Sequence, residues 1–369
     1  MNWTRGLLNT SKLLYRQSKS ANGTQTNQTF TNLTSPANST ILGFQESATF
    51  RLAYDVTITV TLVIIILGMG CGVTWDLIKF HLKRPTGVAI GLVSQVIVLP
   101  FLSFALAHAL VLESIPALGM LVMGVSPCGM MSSVFSYWMD GDISLSFTMS
   151  TFSTFLAFGT IPLNLLIYSG SWTEDNFVIP YKSILLVVGM TCIPLLLGFL
   201  LRWKLPKVAS IILKIGSVAG MFIVALYFIL LSLLYPFIYS ASWKIYVAAL
   251  SYPYISFMFG YVVSTLFKID DFRRRTVALE TGMQNYTLCF AILESSFPSE
   301  ELTVMSVFPL LYGVNSLAAG IVFVGIYKCL KKYVPIKKEM KEQADDKVEV
   351  DDIKSAGRLL EAIEEEIEV

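Results

Sequence analysis

Charged side chains are scarce in this chain of 369 residues. Asp, Glu, Lys and Arg make up only 14% of the sequence, whereas 54% is hydrophobic and the mean hydropathy is +0.64. A soluble domain carries roughly 25% charged residues, because its surface must be solvated by water. The composition therefore excludes an ordinary soluble enzyme and predicts an integral membrane protein. A net charge of +1 also lacks the basic excess that is typical of nucleic-acid binding.

Stretches without charge are long enough to cross a bilayer many times. A membrane helix needs about 20 mostly apolar residues. Eight windows contain no Asp, Glu, Lys or Arg: 56–75, 85–112, 114–139, 143–173, 183–201, 215–243, 245–267 and 302–327. A ninth apolar segment, about 277–299, is interrupted by Glu280 and Glu294. We therefore predict an all-α fold with nine transmembrane helices, numbered here as spans 1 to 9 in chain order.

The basic residues of the short loops predict the orientation. Lys and Arg cluster after spans 1, 5, 7 and 9, within 79–84, 202–207, 268–275 and 328–332. Cytoplasmic loops carry such an excess. We therefore expect a multi-pass protein of the plasma membrane with its N-terminus outside and its C-terminus inside. The loop after span 3, residues 140–142 (Asp-Gly-Asp), is acidic although this topology places it in the cytoplasm.

The two ends of the chain are polar. Residues 1–51 are predicted to form an extracellular, glycosylated tail, because six Asn-x-Ser/Thr sequons occur there. The sequons begin at Asn2, Asn9, Asn22, Asn27, Asn32 and Asn38. Residues 52–330 contain the nine spans, and residues 331–369 are predicted to form a charged cytoplasmic tail.

Motifs for cofactors and catalysis are missing. The five cysteines lie within the spans or at the end of span 9, and the two histidines do not have the spacing of metal ligands. Neither a Gly-rich phosphate loop nor a zinc motif occurs. Cys128 and Ser126 have no convincing His or Asp partner in the spans, so we expect no resident cofactor and no enzymatic activity.

Polar residues interrupt three of the spans. Span 3 contains 124–129 (Gly-Val-Ser-Pro-Cys-Gly), where proline removes a backbone donor and glycine adds freedom. Span 4 carries a run of hydroxyl residues from Ser144 to Thr154. Span 8 contains 280–285 (Glu-Thr-Gly-Met-Gln-Asn), which places a carboxylate and an amide four residues apart on one helix face. Plainer interpretations stay open: a packed proline kink, tight packing by small hydroxyl residues, and pairing of Glu280 with the arginines at 273–275.

These interruptions together predict a cation site. A carboxylate inside a bilayer is costly unless a partner compensates it, and the neighbouring spans offer Glu280 no obvious basic residue. Hydroxyl, amide and carboxylate oxygens suit a hard cation such as sodium, and Gln95 in span 2 can add another amide oxygen. Spans 3 and 8 are five helices apart. Such a pair of interrupted helices is typical of secondary transporters built from inverted repeats.

At these residues the chain resembles the sodium-dependent bile acid cotransporters. The similarity covers about residues 52–332, and the segment 280–285 is its most specific motif. Further matching stretches are 121–145, 145–154, 211–217 and 275–285. The chain is most similar to the ileal and steroid-sulfate branch. The resemblance implies a core bundle of spans 2–4 and 7–9, with two crossed, discontinuous helices, and a panel of spans 1, 5 and 6.

The resemblance also implies symport of two sodium ions with one organic anion. Carried over by position, one sodium site would consist of Ser132, Ser133, Ser146, Ser150 and Glu280. The other would consist of Gln95, Glu280 and Gln284. The substrate would lie between core and panel near the crossing point, with Asn285 and Asn315 as candidate contacts. We therefore expect a sodium-coupled symporter of amphipathic organic anions, such as bile acids or sulfated steroids.

Several residues depart from the family pattern. Ser133 stands where the family usually has Asn, Ser150 where Thr is usual, and Cys128 replaces a Gly. Residues 315–316 (Asn-Ser) replace a Phe-Gln pair. Because a hydroxyl reaches less far than an amide, the first sodium site is expected to be weaker or the stoichiometry to differ. Two alternatives therefore stay open, a family member that does not transport and a membrane receptor for a steroid-like ligand.

Overall fold

A computed structural model describes residues 48–83, 85–172, 179–216 and 241–333. Over these residues the chain is helical, and the only β-type pairing among them is one antiparallel bridge between Cys128 and Gln284. The predicted all-α class is thus confirmed for the described residues. The six sequons, the C-terminal tail and most of the window 215–243 lie outside them.

The first helices contain a sharp bend and a π-helical turn. α1 (Ala48–Cys71) and α2 (Trp75–Lys83) are bent by 71° relative to each other. α3 (Thr86–Val93) continues through a π-helical turn (Ser94–Val98) into α4 (Leu99–Ala109). Pro100 has no N–H for the Val96 carbonyl, and the Asn164 amide donates to that carbonyl at 3.1 Å instead.

Most of the other helices agree with the predicted windows. The other helices are α5 (Ser114–Gly124), α6 (Met131–Trp138), α7 (Ile143–Tyr168), α8 (Tyr181–Lys204), α9 (described over 206–216), α10 (Trp243–Leu266), α11 (Asp271–Gly282), α12 (Tyr286–Ser296), α13 (Ser299–Met305) and α14 (Val307–Tyr333). However, α11 begins six residues before its window, and the described part of α9 lies almost entirely before the window 215–243. α5 and α6 are the two halves of span 3, and α11 and α12 are the two halves of span 8.

Five helical segments of the described chain are long and apolar enough to cross a membrane. They are Thr86–Ala109, Ile143–Ser171, Tyr181–Lys204, Trp243–Leu266 and Glu301–Lys331. The bent pair of α1 and α2 is a sixth candidate. The chain is therefore a multi-pass membrane protein. The count of nine stays a prediction, because spans 3 and 8 are each divided into short helices and span 6 falls largely outside the described residues.

Two sets of helix contacts build the interior of the protein. α1 packs against α8 at a reciprocal glycine contact, where a Cβ on Gly70 would meet the Leu195 carbonyl oxygen and a Cβ on Gly198 would meet that of Leu67. The glycines therefore allow the two backbones to approach closely. α11 is surrounded by α3, α6, α7 and α10, so its last turn is enclosed by protein on several sides.

The acidic turn after α6 is neutralised by residues from two distant helices. Asp140 accepts hydrogen bonds from Lys331 Nζ at 2.6 Å and from the Tyr327 hydroxyl at 2.7 Å. The Asp142 carboxylate caps the first turn of α7 and pairs with Arg273 Nε at 3.3 Å. The turn thereby joins the start of α11 to the end of α14. These contacts explain why an acidic loop is tolerated among basic ones.

Candidate functional site

The two interrupted helices meet at their breaks. Residues 125–130 separate α5 from α6, and residues 283–285 separate α11 from α12. The Gly129 N–H donates to the Met283 carbonyl at 3.1 Å, and the Asn285 N–H donates to the Pro127 carbonyl at 2.7 Å. This pairing satisfies backbone groups that helix ends leave free. A non-helical backbone inside a membrane protein is tolerated where protein buries it in this way.

Glu280 lies beside these breaks, in the last turn of α11, and is fully buried. Its Oε1 accepts hydrogen bonds from Ser132 Oγ at 2.5 Å and from Ser146 Oγ. Its Oε2 accepts one from Ser150 Oγ at 2.9 Å. Ser132 belongs to α6, whereas Ser146 and Ser150 lie one turn apart on α7. One carboxylate is therefore the meeting point of three helices, and we call these four residues the Glu280 cluster.

The arginines at the start of α11 are engaged elsewhere. Arg273 Nη1 pairs with Asp270 at 2.9 Å, and Arg274 Nη1 pairs with Asp271 at 2.8 Å. Arg275 donates to the Asp140 carbonyl oxygen at 3.0 Å. No Lys or Arg in the described part of the chain forms an ion pair with Glu280. The structure therefore contradicts the alternative in which these arginines neutralise Glu280.

Two further side chains border the Glu280 cluster. Ser133 Oγ lies 2.7 Å from Ser146 Oγ, so it contacts the cluster through another serine. Cys128 Sγ lies 3.2 Å from Ser150 Oγ and 3.2 Å from Ser153 Oγ. The sequence marked Cys128 as a departure from a glycine position and as a cysteine without a convincing catalytic partner. Its contact with Ser150 depends on how the break packs against α7, which no local pattern reports.

The predicted amide ligands contact backbone carbonyls rather than the Glu280 carboxylate. Gln95 Nε2 donates to the backbone carbonyl of Glu280 at 3.2 Å, and Gln284 Nε2 donates to the Gly124 carbonyl at 3.0 Å. Within the described residues, the buried side-chain oxygens of both glutamines accept no hydrogen bond. An unsatisfied buried acceptor costs about 1–3 kcal/mol. A cation or a water molecule at these oxygens would remove that cost.

A small pocket, with room for about one water molecule, borders Gln95. It is lined by Gln95, Val96, Val125, Ser126, Pro127, Ser153, Ala157 and Thr160. The lining combines the π-helical turn, the first break and the polar face of α7. Polar side chains from these elements therefore line the pocket together with Gln95.

The candidate substrate residues have different surroundings. Asn285 is buried in the second break, where its Oδ1 caps α12 by accepting from the Leu288 N–H at 3.0 Å. Its Nδ2 donates no hydrogen bond within the described chain. Asn315, on α14, donates instead to the carbonyls of Ala249 and Leu250 in α10, at 2.9 and 3.0 Å. The structure brings Asn285 to the paired breaks and attaches the Asn315 amide to α10.

Tyr312 is a structural contributor that the sequence did not indicate. Its hydroxyl donates to the Gly282 carbonyl at 2.7 Å and accepts from the Gln284 N–H at 3.0 Å. The residue is fully buried on α14. It therefore fixes both sides of the second break. A tyrosine within an apolar span carries no signal that distinguishes this function from ordinary packing.

Comparison with known proteins identifies the family. A model described as the Sodium Bile acid symporter family matches residues 59–241. The human ileal sodium/bile acid cotransporter is 37% identical over 265 residues, which cover 72% of this chain and 76% of that protein. The chain belongs to the sodium bile acid symporter family. The resemblance found in the sequence is thus confirmed.

Other members of the sodium bile acid symporter family are similar over comparable lengths. The human hepatic sodium/bile acid cotransporter is 36% identical over 298 residues, 79% of this chain and 84% of that protein. The human sodium-dependent organic anion transporter is 33% identical over 309 residues, 80% of each chain. The family and these relatives are transporters rather than enzymes, in agreement with the sequence-based expectation.

Proposed function

We propose that this family member is a sodium-coupled symporter of amphipathic organic anions, with bile acids or sulfated steroids as substrates. The observation that carries the proposal is the Glu280 carboxylate, buried where two interrupted helices pair and surrounded by hydroxyls from α6 and α7. A buried negative charge with hard oxygen neighbours and no basic partner in the described chain is suited to a hard monovalent cation.

The first sodium site in this proposal consists of Ser132, Ser133, Ser146, Ser150 and Glu280. Ser132, Ser146 and Ser150 contact the carboxylate directly, which supports their assignment as ligands. Ser133 reaches only Ser146. Because its hydroxyl is short, we expect the first site to bind sodium more weakly than it would with the family's usual asparagine at this position.

The second sodium site consists of Gln95, Glu280 and Gln284. Its support is the pair of buried amide oxygens that accept no hydrogen bond from the described chain, together with the contact of the Gln95 amide with the Glu280 backbone carbonyl. Sodium is the transported cation here and not a resident cofactor. Because the two sites share Glu280, binding at one changes the electrostatic environment of the other.

Sodium at Glu280 would couple ion binding to anion binding. It would neutralise the carboxylate and hold α6, α7 and α11 in one arrangement. Such a coupling between sites is typically about 1–3 kcal/mol. Both α6 and α12 begin at a break, so the positive ends of their dipoles lie at the break and favour an anion nearby. Asn285 and Asn315 are the proposed substrate contacts.

The proposed architecture has nine spans in two inverted repeats, with crossed helices at the paired breaks. The close contact of α1 with α8 supports a panel of spans 1, 5 and 6. The enclosure of α11 by α3, α6, α7 and α10 supports a core of spans 2–4 and 7–9. Residues 52–330 form this transporter domain in the proposal, between an outer glycosylated tail (1–51) and an inner tail (331–369).

Contacts at one end of the protein support the proposed orientation. His81 of α2 lies 3.0 Å from the Ser144 hydroxyl at the start of α7. Arg273 and Lys331 reach the neighbouring acidic turn. The basic segments after spans 1, 7 and 9 therefore share an end, which the positive-inside rule assigns to the cytoplasm. With nine spans in the plasma membrane, the N-terminus would be extracellular.

The test is a sodium-replacement uptake screen. Cells that express the chain receive radiolabelled taurocholate or a radiolabelled steroid sulfate in sodium buffer or in choline buffer, with surface expression measured in parallel. We expect uptake of at least one anion in sodium that is lost in choline. Equal uptake in both buffers would reject sodium coupling. Binding of the anion at the cell surface without uptake would instead support the transport-inactive or receptor alternative.

A further inference from the structure

Cys128 lies between the two proposed sodium sites. It is fully buried, its thiol contacts Ser150 and Ser153 of α7, and its backbone pairs with Gln284. A cysteine alone does not make a site. Here, however, the buried oxygens of Gln95 and Gln284 have no hydrogen-bond donor within the described residues, and the neighbouring pocket is lined by Gln95 and Ser153.

The direction of the hydrogen bonds around the thiol can be assigned. Ser150 donates its hydroxyl proton to Glu280 Oε2 at 2.9 Å, so its oxygen can only accept from Cys128. Ser153 donates its own proton to the Ser150 backbone carbonyl at 3.0 Å, so its oxygen is an acceptor too. The single S–H of Cys128, which also hydrogen-bonds with the Glu280 carboxylate, therefore has two serine acceptors, each 3.2 Å from the sulfur.

These two acceptors differ in their relation to the cation. The Ser150 oxygen is a ligand of the proposed first sodium site, and a thiol proton on one of its two lone pairs weakens its attraction for a sodium ion at the other. The Ser153 oxygen is not a ligand in that proposal. Rotation of the S–H from Ser150 to Ser153 would release the lone pair without leaving the thiol proton unpaired. Because a thiol is a weak donor, the rotation has a small cost.

We infer that Cys128 is a positioning residue that lowers the sodium affinity of the first site by competing with the ion for the Ser150 oxygen. The inference rests on the proposed function, because it assumes sodium at the Glu280 cluster. It concerns affinity rather than turnover, since the thiol in this arrangement contacts ligands of the ion, Ser150 and Glu280, and not the path of the anion. A glycine or alanine at position 128 has no side-chain donor and leaves the Ser150 oxygen to the ion.

The experiment compares sodium-activation curves of anion uptake for the wild type, Cys128→Ala and Cys128→Ser. One neutral hydrogen bond corresponds to about a 2- to 12-fold change in a binding constant. We expect Cys128→Ala to lower the half-saturating sodium concentration by about three-fold, with the maximal rate per surface molecule little changed. Cys128→Ser, which keeps a donor, should return the value to that of the wild type or above it.

Cys289→Ala is the matched control, because Cys289 is also fully buried in a half-helix, α12, but does not contact Ser150. It should leave the half-saturating sodium concentration unchanged. A variant with poor surface expression is assayed after purification, by the sodium concentration that half-maximally raises its melting temperature. In that assay too, we expect the half-maximal sodium concentration to be lowest for Cys128→Ala and to be higher for the wild type and for Cys128→Ser.

The outcomes separate this inference from the proposed function. If wild-type uptake does not depend on sodium, the proposed function fails and the inference about Cys128 fails with it. If wild-type uptake depends on sodium while Cys128→Ala leaves the half-saturating concentration unchanged or raises it, only the inference about Cys128 is overturned. An equal decrease in Cys289→Ala would also overturn it, because the effect would then be one of general packing.

Discussion

The backbones of Cys128 and Gln284 form an antiparallel bridge between two helix breaks that are far apart in the sequence. This bridge joins the break after α5 to the break after α11 through backbone contacts. Glu280 lies one turn before this bridge, and its carboxylate is held by serines of α6 and α7. A change at Glu280 is therefore expected to affect ion binding more than folding.

Replacing Glu280 by Gln should abolish stabilisation by sodium. The amide keeps the size of the side chain but removes the negative charge that both proposed sodium sites share. We expect sodium chloride, but not choline chloride, to raise the melting temperature of the purified wild type, and neither salt to raise that of Glu280→Gln. Glu113→Gln, which changes an exposed carboxylate, is the control and should behave like the wild type. Full stabilisation of Glu280→Gln by sodium would remove this residue from the cation site.

Two neighbouring serines should differ in their effect on sodium affinity. Ser132 contacts the carboxylate directly at 2.5 Å, whereas Ser133 contacts only Ser146. A hydrogen bond to a charged group contributes about 1.5–3 kcal/mol. Ser132→Ala should therefore raise the half-saturating sodium concentration by about ten-fold or more, and Ser133→Ala by less than about three-fold. Sodium-activation curves for uptake measure both, and the reverse order would show that the cation lies nearer to Ser133.

Loss of the Asp142 carboxylate should destabilise the end of the protein that contains the acidic turn. Asp142 caps α7 through the Leu145 N–H at 2.9 Å and also pairs with Arg273. Loss of a helix cap costs about 1 kcal/mol. We expect Asp142→Ala to lower the melting temperature more than Asp142→Ser, because serine can still cap the helix but cannot pair with Arg273. Equal melting temperatures for the two variants would show that the cap contributes nothing.

The Asp140 contacts should give a small stability difference that depends on pH. Burial by itself would raise the pKa of the Asp140 carboxyl, but hydrogen bonds from Lys331 and Tyr327, with the charges of Lys331 and Arg275, lower the pKa below its ordinary value of 3.8. A carboxyl whose pKa is lower in the folded state stabilises above its unfolded pKa and loses this effect as the pH falls through the folded pKa.

Asp140→Asn should therefore melt at a lower temperature than the wild type at neutral pH. The corresponding difference in the free energy of unfolding should be below about 1 kcal/mol, because Lys331 and Asp140 are half exposed. It should shrink as the pH falls below about 4. Thermal melts across pH measure it, with Asp76→Asn as the control, since Asp76 pairs with Lys79 only at 3.8 Å. A difference that persisted unchanged at acidic pH would contradict the assignment.

Local sequence patterns predicted much of the helical framework. The window 143–173 agrees with the described segment Ile143–Ser171, and 183–201 with Tyr181–Lys204. This agreement has a physical reason, because a bilayer requires long apolar segments whatever their tertiary partners are. The positions of both breaks were also predictable, since glycine, proline and a carboxylate are unfavourable inside a membrane helix.

The contacts between distant segments could not be predicted in the same way. The acidic turn conflicts with the predicted topology when the loop sequence is read alone, because its partner Lys331 lies 191 residues further along the chain. The hydroxyl partners of Glu280, the bracing of the second break by Tyr312 and the thiol contact of Cys128 likewise depend on packing between helices. The 71° bend between α1 and α2 also has no signature in the charge-free window 56–75.

Sodium-coupled symport is tested by measuring both solutes in one preparation. Purified protein in proteoliposomes receives ²²Na⁺ together with the radiolabelled anion that the uptake screen identifies, and the entry of each is followed with and without the other. The proposed mechanism predicts that the anion accelerates ²²Na⁺ entry in a fixed ratio and that Glu280→Gln abolishes this acceleration. Anion entry without any accompanying ²²Na⁺, or unchanged coupling in Glu280→Gln, would contradict it.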